Sequence, residues 1–182
     1  MIYKSNESEK NAALRTAELM LAAARTAPKA CGIDNIETLI IDGAEKDALT
    51  AAMREIGADS GLGFFQRDAE NVDGCHCVAL IGVKDIPRGL DCAFCGVDTC
   101  AEAAKNGICC AMAVDDLGIA VGSAAATAMD HRIDNRVLFT AGKGALKLKY
   151  FSEKVKVCFG IGLSVSGKNP FFDRPAIEEP IK

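Results

Sequence analysis

The sequence has 182 residues, which is enough for one domain with a large core and short for two, so we expect a single domain over 1–182. Its 25 acidic and 21 basic residues give a net charge of −4, and the basic residues are dispersed, which argues against nucleic-acid or anionic-membrane partners. The polar first ten residues and the absence of an apolar run near 18 residues indicate neither secretion nor a membrane span. We expect a cytoplasmic protein.

Periodicity, glycines and prolines predict helices and strands in alternation. An amphipathic pattern stops at Pro28, a short β-branched run ends at Asp42-Gly43, and the following segment up to Gly74 is polar and irregular. Asp134 is a good helix cap before an amphipathic basic stretch. The predicted elements are helix 7–27, strand 36–41, helix 44–56, loop 57–74, strand 75–83, helix 110–129 with a possible break at a glycine, helix 135–148 and strand 154–163.

The chemistry is concentrated in the segment 92–110, which contains five of the nine cysteines. Cys92, Cys95 and Cys100 have the spacing C-x2-C-x4-C, and Cys109 or Cys110 can supply a fourth thiolate. Four soft sulfur ligands are typical of an iron–sulfur cluster or of zinc. A chain without secretion signals also has little use for structural disulfides, which favours metal or redox chemistry.

The chain around these cysteines has the turns that such a site needs. Gly96 allows a tight turn directly after Cys95, and Asp98 or Thr99 can cap a short helix that starts near Cys100. One unbroken helix would carry Cys109 about 13 Å from Cys100, at roughly 1.5 Å per residue. The pair Asn106-Gly107 predicts the break that returns the chain.

Two alternatives stay open from the residues alone. Zinc sites usually pair two short C-x2-C knuckles, and only the first pair has that form here. The cysteines could also be ordinary buried thiols, since Cys110 shares a helical face with Val114 and Leu117. The polar loop before Cys92 speaks against that second interpretation. His76 lies on the opposite strand face from its two neighbouring cysteines, so we expect it to be structural.

Nearly the whole chain resembles a family of uncharacterised ferredoxin-domain proteins, whose members look like nitroreductases with an added cysteine cluster. The resemblance is carried by six segments: ARTAPKACGIDNIETLII at 24–41, FFQRDAENVDGCHCVALIGV at 64–83, CAFCGVDTCAEA at 92–103, DLGIAVGSA at 116–124, IDNRVLFTAG at 133–142 and SGKNPFFDRP at 166–175.

The resemblance implies an α+β, nitroreductase-like fold with a central mixed sheet flanked by helices, forming a homodimer, with the ferredoxin-like motif embedded at 92–110. It implies one [4Fe-4S] cluster on Cys92, Cys95, Cys100 and Cys110, with Cys109 in reserve. It also implies an FMN site, with the ring against Gly122 and Ser123 and the phosphate near Lys168 and Arg174. Cys31, Cys75 and Cys77 are outside the cluster motif, and we expect them to pack in the core.

Two functions are consistent with these features. The protein is either an oxidoreductase in which a cluster passes electrons to FMN and the flavin reduces a small substrate, or a carrier or assembly protein with a cluster, no flavin and a protein partner. No catalytic residue is assigned. Release of FMN on boiling would distinguish the two.

Overall fold

The structure is a computed structural model, and it describes residues 2–172. Ten helices and strands follow one another in this part of the chain: α1 (Ser5–Thr26), β1 (Ile36–Ile41), α2 (Gly43–Ser60), α3 (Phe64–Asp73), β2 (Cys77–Lys84), α4 (Cys100–Lys105), α5 (Ala111–Asp130), β3 (Asp134–Leu138), α6 (Phe139–Lys147) and β4 (Val155–Ser164). The predicted positions of α1, β1, β2, α5 and β4 are confirmed to within a few residues.

The four strands form one sheet in the order β1-β2-β4-β3. The α+β class is confirmed, but the strand directions differ from the mixed sheet that we expected, because every described neighbouring pair is antiparallel. Two consecutive helices, α2 and α3, lie between β1 and β2. They return the chain to the end of the sheet where β1 finished, and β2 therefore runs in the opposite direction to β1.

Helices cover both faces of the sheet. On one face, α1 and α5 pack on Cys77, Ala79 and Ile81 of β2. On the other face, α2, α3 and α6 pack on Val78 and Leu80. The central strand β2 is thus buried on both sides, which is why its sequence reads as a continuous apolar run.

Two elements differ from their predictions. The segment 64–73, expected to be irregular, is helix α3, which buries Phe65, Ala69 and Val72 at helical spacing. The start of the expected helix 135–148 is instead the edge strand β3, which pairs with β4 from Asp134 opposite Ser164 onward. Asp134 therefore begins a strand and does not cap a helix.

Helix α5 is long and apolar enough to cross a membrane by length and composition. The core helix of a soluble protein passes the same test, and α5 buries Leu117, Ala120 and Ala124 completely. It runs without the interruption that its glycines allowed.

The segment after β4 is docked on the sheet edge as far as residue 172. Phe171 is buried, the Asn169 side-chain amide donates to Asp134 Oδ1 over 2.9 Å, and Arg136 donates to the carbonyl of Phe171.

Candidate metal centre

A small cavity lies between the loop that follows β2, helix α4 and the first residue of α5. All four predicted cluster ligands line it: Cys92, Cys95, Cys100 and Cys110. The cavity measures about 10 Å³, which is room for about one water molecule. Within residues 2–172, no three His, Cys, Asp or Glu side chains are arranged so that they could hold a single metal ion. The four thiols therefore share one cavity without surrounding one common point.

The loop backbone turns sharply around this cavity. Gly96 has φ of 87° and donates its N–H to the Ala93 carbonyl, so the predicted tight turn after Cys95 is present. Asp91 and Ala93 also have positive φ, at 44° and 59°. A non-glycine residue in this conformation is disfavoured by roughly 1–2 kcal/mol. Strained backbone of this kind persists only where surrounding contacts fix it.

Helix α4 then brings the chain back toward the cavity. Thr99 caps it, since its hydroxyl oxygen accepts a hydrogen bond from the Glu102 N–H, as predicted. The helix ends at Asn106, and Gly107 follows with φ of 66°. This break, also predicted, places Cys110 directly before α5 and beside the other three cysteines.

Two carboxylates hold the backbone of two cavity cysteines. Asp91 Oδ1 accepts from the Cys100 N–H at 2.7 Å, and Asp85 Oδ1 accepts from the Cys110 N–H at 3.1 Å. Each bond joins the incoming loop to a cysteine farther along the chain. Sequence reasoning missed both hydrogen bonds. The sequence feature that could have indicated them is an acidic residue on the N-terminal side of the cysteine motif, since such a side chain can accept from a loop N–H.

Cys109 is not among the residues that line the cavity. Burial raises the pKa of its thiol, and the nearby Asp85 carboxylate raises this pKa further. Lys156 is close enough to oppose that shift. Cys109 and Cys110 therefore have different surroundings, and Cys110 is the one at the cavity.

A buried ion pair ties this loop to the core. Arg88 Nη2 donates to Asp116 Oδ2 on α5, and the two side chains are only 1% and 2% exposed. The other oxygen of Asp116 accepts from the Ala30 N–H over 2.7 Å, in the turn between α1 and β1. The Nε and Nη1 atoms of Arg88 are buried and have no hydrogen-bond partner among the described residues. Sequence reasoning missed this pair, because nothing local in the sequence marks residues 28 positions apart as partners.

The predicted flavin contacts, Gly122 and Ser123, lie next to each other in the middle of α5. Gly122 is exposed, and a side chain added there would meet nothing within 4 Å, so this surface is open. Ser123, however, donates its hydroxyl to the Ala23 carbonyl of α1. Both residues lie in the interior of α5, where N–H groups donate to carbonyls four residues earlier. Their N–H groups are therefore engaged within the helix.

The two predicted phosphate ligands lie after β4. Lys168 is in the docked segment, and its carbonyl accepts from the Ser166 hydroxyl at 2.6 Å. Arg174 lies outside the described residues.

The cysteines outside the motif have two different environments. Cys75 and Cys77 are buried, and this burial raises the pKa of each thiol to about 12, which supports the predicted core packing. Cys31 is exposed, so its predicted core role is wrong. It lies in a 3₁₀ turn with φ of 57°, shortly after the proline that ends α1, and the sharp turn leaves it at the surface. His76 is structural as predicted, with its ring Nε2 at 3.1 Å from the Val165 carbonyl oxygen.

Comparison with known proteins identifies relatives of the whole chain. The sequence profile of the family described as "uncharacterized protein containing a ferredoxin domain" matches residues 106–174. An uncharacterized protein of Archaeoglobus fulgidus is 39% identical over 180 residues, covering 93% of this chain and 96% of the relative. The chain belongs to this ferredoxin-domain family. The matched region of the profile contains Cys110 but begins after Cys100, so it does not itself test the cluster motif.

Several nitroreductases are among the solved structures that are similar to this chain. A Desulfitobacterium hafniense nitroreductase with bound FMN has a TM-score of 0.61 at 14% identity, over 91% of this chain and 82% of its own. The FMN-dependent nitroreductase NfnB of Mycobacterium smegmatis, in complex with NADPH, has a TM-score of 0.59 at 15% identity, over 93% and 87%. A putative Desulfovibrio desulfuricans nitroreductase in complex with FMN has a TM-score of 0.56 at 17% identity, over 92% and 86%. The predicted nitroreductase-like fold is confirmed.

Proposed function

We propose that this ferredoxin-domain protein is a redox protein that holds one [4Fe-4S] cluster on Cys92, Cys95, Cys100 and Cys110. The observation that carries the proposal is the convergence of these four thiols, from three separate turns of the chain, on one cavity. In a four-iron cluster each thiolate binds a different iron, so the ligands are spread more widely than around one zinc ion.

The chain's own residues would set the geometry and surroundings of the cluster, which supplies one-electron transfer when bound. Asp91 and Asp85 fix the backbones of Cys100 and Cys110. The ion pair of Arg88 and Asp116 holds the loop against α5. Such supporting contacts orient ligands and tune a metal site.

As an enzyme, the protein would use this cluster to supply electrons to FMN, which would reduce a small molecule. The similar nitroreductase structures with bound FMN support this version, as does the open surface at Gly122. Lys168 and Arg174 are the proposed phosphate donors, because a guanidinium can bind phosphate with two hydrogen bonds. Arg174→Ala would then weaken FMN retention by about 2 kcal/mol.

The second candidate is an electron carrier or assembly protein without flavin. One observation favours it: Ser123 uses its hydroxyl to bind α1, and the N–H groups around it are committed to α5. Few hydrogen-bonding groups at that surface are therefore available to orient a flavin ring.

We also propose a cytoplasmic homodimer. Helices α1 and α5 expose apolar side chains that a second copy can cover. These are Leu19, Ile119 and Met129, whose exposed fractions are 40–61%. Sedimentation at micromolar concentration tests this, and a monomer would contradict it.

Anaerobic purification tests the main proposal. The protein should absorb broadly in the blue and contain iron and sulfide in about a four-to-four ratio. Stoichiometric zinc without iron would refute the cluster. Boiling the same sample releases any FMN, which is detected by its fluorescence. A fluorescent supernatant supports the flavoenzyme, and iron and sulfide without fluorescence support the carrier.

A further inference from the structure

The loop that carries Cys92 and Cys95 also presents apolar side chains to solvent. Phe94 is 76% exposed and Leu90 is 48% exposed, so a phenyl ring stands in water directly beside Cys95. Exposed aromatic side chains are enriched in protein interaction sites. Two hydrogen bonds fix the backbone of this loop on either side of Phe94. The Asp91 carboxylate accepts from the Cys100 N–H, and the Gly96 N–H donates to the Ala93 carbonyl.

The sequence on both sides of Phe94 is acidic. The segment 89–106 contains three acidic residues, Asp91, Asp98 and Glu102, and one basic residue, Lys105, and all four are exposed. Its formal charge is therefore −2. Four thiolates on a cluster would add negative charge at the same place. A partner that fits must bring positive charge around an apolar contact.

We propose that this surface, formed by Leu90, Phe94, Asp98 and Glu102, docks an electron-transfer protein with a basic face. The proposal rests on the cluster proposed above. The transfer is of one electron, from the reduced cluster to an oxidised one-electron centre in the partner, with no bond formed and no proton moved. A second copy of this chain is a poorer occupant, because it would place two acidic surfaces against each other.

The geometry also explains why docking at this point is useful. Phe94 lies one residue from Cys95 and two from Cys92, and both cysteines line the cavity. A partner that covers Phe94 therefore approaches the proposed cluster from the side of the loop, without crossing the sheet or a helix.

The test uses ferricytochrome c as a basic probe and oxidised plastocyanin as an acidic one. The anaerobic, dithionite-reduced protein is mixed with each probe by stopped flow at several ionic strengths. We expect fast reduction of ferricytochrome c that slows as salt is added, and slower reduction of plastocyanin that speeds up with salt. Asp98→Asn with Glu102→Gln should slow cytochrome reduction at low salt by about fivefold or more, and Phe94→Ala should slow it similarly.

Matched controls carry the same chemical changes elsewhere. Glu7→Gln with Glu9→Gln removes two negative charges at the start of α1, close to the ion pair of Lys10 and Asp42. That pair lies where β1 ends, whereas the cysteine loop leaves the opposite end of the sheet, because Ile41 faces Val78 and Ile36 faces Val83. Phe172→Ala removes another ring that is 66% exposed. All three control positions should leave the rate close to that of the wild type.

Binding is measured in parallel by calorimetry with ferricytochrome c, so that failure of this inference is distinct from failure of the cluster. Protein without iron overturns the proposed function. Iron-loaded protein whose binding and rates are unaffected by the Phe94, Asp98 and Glu102 changes overturns the docking surface. Dissociation of a dimer by Phe94→Ala would assign the surface to a second copy and also overturn it.

Discussion

Arg88 and Asp116, which are 28 residues apart in the sequence, form an ion pair that is buried from water. Arg88 directly follows Pro87, which lines the cysteine cavity, and Asp116 lies on the helix that Cys110 begins. The pair therefore fixes two walls of the cavity relative to each other. Since Asp116 also binds the Ala30 N–H, the same carboxylate holds the turn that precedes β1.

Removing one member of this pair should destabilise the fold. Asp116→Asn leaves a buried guanidinium without its counter-charge, and we expect a loss of about 3–5 kcal/mol in the free energy of unfolding, measured with urea. The double change Arg88→Met with Asp116→Leu should lose less, because no charge is then left buried. Glu55→Gln, which removes a partner of Lys147 at the surface, should have little effect. Equal losses in the single and double variants would contradict this account.

The two adjacent cysteines should differ in their effect on the cluster. Cys110→Ser replaces a thiol at the cavity, and we expect it to lower iron and sulfide content to a small fraction of the wild type after anaerobic reconstitution. Cys109→Ser replaces the thiol beside Asp85 and should leave the cluster content near that of the wild type. Iron and sulfide assays with visible absorption measure both. The reverse result would make Cys109 the fourth ligand.

Stability should fall at alkaline pH because of buried thiols. Burial raises the pKa of Cys77 and of Cys158 to about 12, from about 9 in the unfolded chain. The folded state therefore retains these protons while the unfolded state releases them. The stability that each protonated thiol contributes is fully present below pH 9. It is lost as the pH rises from about 9 to 12, at about 1 kcal/mol of unfolding free energy per pH unit for each thiol.

Urea unfolding at a series of pH values measures this slope. Cys158→Ala removes one of the ionising groups, so its stability should decline less steeply than that of the wild type. A stability that is flat from pH 9 to 11 would contradict the buried, protonated state of these thiols.

The open face of α5 offers a test of flavin contact that does not depend on turnover. An alanine at Gly122 meets no atom within 4 Å, so Gly122→Ala should stabilise the flavin-free protein by roughly 0.5–1 kcal/mol through helix propensity. If a flavin ring lies against this surface, the same change should reduce FMN retention. Gly118→Ala is the matched control, because its surroundings are equally open. Unchanged retention in both variants would remove Gly122 from the flavin site.

The elements that sequence reasoning placed well are those whose signal is local. Pro28 ends α1, Asp42-Gly43 ends β1, and the apolar run of β2 is unbroken. Within the site, the Thr99 cap and the Gly107 turn were also predictable, because capping and left-handed backbone depend on the residue itself.

The errors occurred where distant contacts override a local signal. The sequence predicts that α2 ends at Gly57, yet the helix continues to Ser60. The glycine serves packing instead, because a Cβ there would lie 2.9 Å from Phe65 Cβ of α3. β3 is five residues long and owes its form to pairing with β4, which its own sequence does not reveal. The anchors Asp85 and Arg88 likewise act on residues that are far along the chain.

The four cavity cysteines fall within nineteen consecutive positions, 92–110, and none of them belongs to a strand of the sheet. Opening this segment would break mainly the bonds made by Asp85, Asp91 and Arg88, while both cores around β2 remain packed. Local opening of this kind costs less free energy than global unfolding. We therefore expect amide exchange in 85–110 to be faster than in β2, and to slow once the proposed cluster is inserted.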